Sequence, residues 1–69
     1  MDFYEMIGKH IDEAVRLLPD GYFLVSGVAA DGGIGCMTYG SFKSNREISF
    51  EIAPGGIVYS IGLQFAPEF

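Results

Sequence analysis

Wound at about 100° per residue, positions 2–18 separate into two faces. One holds Phe3, Tyr4, Met6, Ile7, His10, Ile11, Ala14, Val15, Leu17 and Leu18; the other holds Asp2, Glu5, Gly8, Lys9, Asp12, Glu13 and Arg16. The pattern predicts one amphipathic helix over 3–18, with an apolar face wide enough to need a sheet against it. Asp2 and Glu5 have the spacing of a capping box. Glu5 with Lys9, and Asp12 with Arg16, are i,i+4 pairs in the favourable order. Gly8, at the border of the apolar arc, is read as tolerated within the helix or as permitting close contact with the sheet. Pro19 ends the helix, because it disfavours helical geometry in Leu18, and Pro19-Asp20-Gly21 turns the chain.

The rest reads as strand. Runs over about 22–30, 34–42, 47–53 and 57–65 are bounded by Asp31-Gly32-Gly33, Lys43-Ser44-Asn45-Arg46 and Pro54-Gly55-Gly56. Loops this short join antiparallel neighbours. The expected fold class is therefore α+β, one N-terminal amphipathic helix on a four-stranded antiparallel meander (αββββ), forming a single small domain over 1–69.

Alternation assigns the faces. In the third run Ile48, Phe50 and Ile52 oppose Glu47, Ser49 and Glu51. In the fourth, Tyr59, Ile61, Leu63 and Phe65 oppose Val58, Ser60, Gly62 and Gln64, and the first of these sets is expected to join the core. The first two runs alternate less cleanly. Leu24, Val28, Met37 and Tyr39 are placed on one side, and Phe23, Val25, Ile34, Cys36 and Phe42 on the other. Either way a second apolar patch is left that one helix cannot cover, and several hundred Å² of contiguous apolar surface calls for a partner. Gly27, Gly35, Gly40 and Gly62 fall inside strands, where glycine marks strong twist, a bulge or close backbone approach.

A chain of 69 residues buries only about 60% of its unfolded surface. With one cysteine, Cys36, it has no disulfide to add, so a dense core or association must compensate; hydrophobic residues make up 49% of the chain. Nine acidic against four basic side chains give a net charge of −5. Lys9, Arg16, Lys43 and Arg46 are too few for a phosphate-binding surface, which argues against direct nucleic-acid or anionic-membrane binding and allows a basic protein partner. The first residues lack the basic and apolar regions of a signal peptide, and no run reaches a membrane span. A lone cysteine suits a reducing compartment, so a cytoplasmic setting is expected, in the protein's own cell or in a host.

No catalytic, cofactor or metal site is expected. His10 sits on the apolar half of the helix and Cys36 in mid-strand, with no third residue to orient a nucleophile–base pair. The Asp31–Gly35 run resembles a phosphate loop only superficially, because a strand follows it where a helix is needed. The candidate partner-binding residues are Asp12, Glu13, Phe23, Val25, Phe42, Glu47 and Glu51, the acids meeting a basic surface and the aromatics anchoring the contact. The function expected is a small, acidic, non-enzymatic inhibitor that occludes a basic, often nucleic-acid-binding, groove on a larger protein. Phage-encoded inhibitors of bacterial defence, anti-CRISPR proteins among them, share this profile as a class; the analogy is one of composition and size. The alternative is a homo-oligomeric interaction protein, a homodimer in the simplest case, that covers its second sheet face or edge with its own copy.

Overall fold

The apolar stripe at the N-terminus forms two short helices in place of one. The computed structural model describes residues 2–29 and 35–65. A 3-10 helix spans Phe3–Met6, and an α-helix, α1, spans Ile11–Arg16. Asp2 caps the first as expected, its Oδ1 accepting from the Tyr4 N–H (2.9 Å). The continuous helix over 3–18 is not formed: Ile7 is extended and Gly8 has φ of 94°, outside the helical region.

What wins is long-range main-chain bonding. Gly8 N–H donates to Val58 C=O (2.8 Å), Val58 N–H to Lys9 C=O (2.9 Å), and Ile11 N–H to Gly56 C=O (2.8 Å). His10 bridges Ile57 in antiparallel fashion. Residues 8–11 thus act as a short strand, and those groups bond the sheet instead of helical neighbours. The break also changes side-chain partners. Lys9 pairs with Glu13 (3.6 Å) rather than Glu5, and Arg16 Nε donates to the Asp12 main-chain carbonyl (3.2 Å).

Four strands follow: β1 Tyr22–Ala29, β2 Gly35–Ser41, β3 Arg46–Ile52 and β4 Val58–Phe65. They form one antiparallel sheet in the order β1-β2-β3-β4, the α+β meander expected, with described strand ends within one residue of the predicted ones. Residues 30–34, which include the Asp31-Gly32-Gly33 turn and Ile34, and the tail at 66–69 lie outside the described residues. Between β3 and β4, Gly56 N–H closes a turn onto Ala53 C=O (3.0 Å). Pro54 and Gly55 are its central residues, and Gly55 supplies the positive φ, 92°, that a type II turn needs there.

Two bulges reset the faces. On β3–β4 the register runs Glu51↔Ser60, then Ile52↔Val58, leaving Tyr59 as the extra residue. Val58 therefore enters the core and Tyr59 turns to the other side, the reverse of simple alternation. On β1–β2 the pairs Leu24↔Tyr39 and Ser26↔Thr38 leave Val25 extra. Leu24 stays on the helix side with Tyr39, whereas Val28, paired with Cys36, moves to the opposite side, so Leu24 and Val28 do not share a face.

The core lies between the helices and β2–β4. Phe3, Met6 and Ala14 meet Tyr39, Ile48, Phe50, Ile52, Val58 and Ile61, with Ile11, Val15, Leu18, Tyr22 and Met37 around them. Tyr39 packs edge-on to Phe50 (centroids 5.9 Å) and Phe3 edge-on to Tyr22 (6.2 Å). The described side chains of β1 beyond Tyr22 are exposed on both faces, Leu24 at 53% even on the helix side.

Candidate functional site

The side of the sheet turned away from the helices carries the surface that most needs an explanation. Cross-strand pairing lays it out in three rows. Phe23 faces Gly40, which faces Glu47, which faces Gln64; Ser26, Thr38, Ser49 and Gly62 form the middle row; Val28, Cys36, Glu51 and Ser60 form the third. The β1 end is apolar, β3 is acidic and β4 is small and polar.

Phe42, just past β2, stacks on Phe23 with ring centroids 4.1 Å apart. Phe42 is 79% exposed and Val28 65%. The glycine at 40 lets the apolar residues close up: a Cβ there would lie 3.0 Å from Val25 Cγ2 and 3.5 Å from the Phe23 ring. Phe23 and Val25 thus lean across β2 and join Phe42 in one continuous patch.

The acids beside it are held. Glu51 Oε2 accepts from the Tyr59 hydroxyl (3.0 Å), a contact made by the β4 bulge, and Glu47 Oε1 accepts from Gln64 Nε2 (3.2 Å). Both donors are uncharged side chains, so each carboxylate is positioned without an ion pair. The bond to Glu51 is also the main reason the Tyr59 phenol is raised above its ordinary value. Thr38 and Ser49 hydroxyls bond each other between these acids (3.0 Å).

Of the residues expected to meet a partner, Phe23, Val25, Phe42, Glu47 and Glu51 come together on this face. Asp12 and Glu13 do not: they lie on α1, on the other side of the sheet, where Asp12 stands close enough to contribute to raising the Tyr39 pKa. Val28 and Tyr59 belong to the outer face but follow only from the bulges. The sequence signal for the second bulge is Ile57-Val58-Tyr59, three bulky apolar or aromatic residues in succession, of which strict alternation can bury only one or two.

His10 and Cys36 are not brought together. His10 caps α1, its Nδ1 accepting from the Asp12 N–H (3.1 Å), and its ring lies against Gly56. Cys36 is mid-sheet on the outer face between Val28 and Glu51. Among the described residues no group of three His, Cys, Asp or Glu side chains is placed to hold a metal ion. Comparisons of the chain with protein-family models, with curated proteins and with solved structures return no match.

Proposed function

We propose that this chain is a non-enzymatic protein-binding module that lays the outer face of its sheet on a basic surface of a larger protein and occludes it. The observation that carries the reading is the exposed Phe42 ring stacked on Phe23, with Val25 beside Phe23 over Gly40 and the held carboxylates of Glu47 and Glu51 on the same face. Exposed aromatics on a rigid sheet lose little conformational freedom on binding and make effective anchors. Fixed acids at their border favour a partner rich in Lys and Arg and speed the encounter. A nucleic-acid-binding groove is one surface of that kind, since it neutralises phosphates with Lys and Arg.

The test is capture from the native host lysate, followed by rate measurements with the purified partner. Phe42→Asp should weaken binding by about thirtyfold or more, as loss of a central aromatic anchor does, and lower thermal stability only by the lost stacking on Phe23, about 1 kcal/mol, with the fold intact. Glu47→Gln with Glu51→Gln should slow association and flatten its salt dependence, since exposed charges are screened over about 8 Å at physiological ionic strength. Asp12→Asn with Glu13→Gln, on the far side of the molecule, should do much less. An association rate indifferent to salt and to both double substitutions would leave the charge as a solubility device; full binding by Phe42→Asp would remove the reading altogether.

A further inference from the structure

We infer that β1 is the seam along which two copies of this chain join, edge to edge and antiparallel about a two-fold axis, making one eight-stranded sheet. The inference does not rest on the basic-partner reading, since the edge and the outer face are different surfaces.

The main chain gives the first argument. β1 pairs with β2 on one side only, and among the described residues no main-chain hydrogen bond reaches its other side. The free side can be read from the ladder. Phe42 N–H donates to Gly21 C=O (2.8 Å), so Gly21 and Phe42 are a hydrogen-bonded pair. Bonded and non-bonded pairs alternate along an antiparallel ladder. Phe23 therefore bonds Gly40, while Tyr22 and Leu24 turn their N–H and C=O groups to the open edge.

Edge strands are ordinarily guarded by lysine, proline, shortness, a β-bulge or a covering segment. β1 is eight residues long, Tyr-Phe-Leu-Val-Ser-Gly-Val-Ala, without a charge or a proline; the bulge at Val25 is its one guard among the described residues, and it lies beyond the open Tyr22–Leu24 main chain. The opposite edge is treated differently. The start of β4 is already bonded by residues 8–11, so a strand running the length of β4 would collide with them.

Charge and symmetry favour a second copy as the occupant. A basic partner finds no carboxylate on β1 to engage, whereas an identical strand meets a neutral one in a molecule otherwise at −5. Two-fold pairing also makes the open donors and acceptors complement themselves. A standard interface takes about a tenth of a small protein's surface, here about 450 Å² of the 4473 Å² total. A tenth from each of two copies totals about 900 Å², below the roughly 1,200 Å² at which stable interfaces begin, which implies a weak, concentration-dependent dimer.

Sedimentation of the intact chain over a range of concentrations, paired with amide exchange, tests this. The expected result is a monomer–dimer equilibrium in which the Tyr22 and Leu24 amides exchange freely when dilute and gain tenfold or more protection when concentrated. Leu24→Lys places a charge on the open edge, on the helix side and away from the outer face. It should weaken the dimer about tenfold or more with unchanged folding, and leave partner binding through Phe42 intact. Phe42→Asp should do the opposite, sparing the dimer. A strict monomer at the highest soluble concentration overturns the inference. So does a dimer in which those two amides stay unprotected, or one dissolved by Phe42→Asp and indifferent to Leu24→Lys, which would be packing of face on face.

Discussion

At Gly56 three demands meet in one residue. Its φ is 87°, its carbonyl accepts the Ile11 N–H, and the His10 imidazole occupies the place where a Cβ would project. Gly55 has nearly the same backbone, φ 92°, but open space around it. The pair separates backbone strain from side-chain contact. Gly55→Ala should cost about 1 kcal/mol from its positive φ alone. Gly56→Ala should cost about 1 kcal/mol more, because the ring must leave and the Asp12 N–H loses the cap it donates to. In the double variant with His10→Ala the two losses should add to less than their sum, as coupled contacts do. Urea unfolding of the wild type, the three single variants and the double variant measures this, and equal costs at 55 and 56 would mean that the imidazole does not hold that position.

Among the elements, β3 is the most legible in the sequence and the N-terminal segment the least. Ile48, Phe50 and Ile52 are all buried, as their alternation requires, because both neighbouring strands run in regular register along Ile48 and Phe50. The grouping of Phe23, Val25 and Phe42 is legible because alternation holds up to the β1 bulge, whereas their outward placement depends on how the 43–46 loop joins β2 to β3. Tyr59 and Val28 are not legible, since one extra residue inverts the phase of everything beyond it while leaving composition unchanged. The helix over 3–18 failed on a different ground. A 3.6-residue period records which side chains are apolar, and says nothing of main-chain bonds to a segment nearly fifty residues away. Gly8 tells the two architectures apart. In a continuous helix Gly8→Ala would stabilise by about 1 kcal/mol. With φ at 94° it should instead destabilise by about 1 kcal/mol, with no gain in helical circular dichroism, because extending the helix would forfeit the bonds to Gly56 and Val58.

For the whole molecule, the buried Tyr39 links stability to alkaline pH. Burial first, and the Asp12 charge second, raise its phenol above the ordinary value of 10.0; Tyr59 is raised in the same direction. A group with a raised folded pKa contributes its full stabilisation below the unfolded value and loses it as pH climbs through the folded one. Stability should therefore hold up to about pH 10 and fall beyond it. Tyr39→Phe should remove much of that slope and Asp12→Asn a smaller part, measured as urea midpoints against pH; parallel curves for wild type and Tyr39→Phe would assign the alkaline loss elsewhere. The bonds joining residues 8–11 to 56–58 carry a further consequence, for the order of events as the chain is made. Six residues of α1 are too few to be stable alone, and their anchor lies in the last strand. The segment before β1 leaves the ribosome ahead of the strands and must wait unstructured until Val58 has emerged. Its docking is then a loop closure across most of the chain, the kind of contact that slows folding, and the apolar side chains of the waiting segment stay open to other proteins until it is complete.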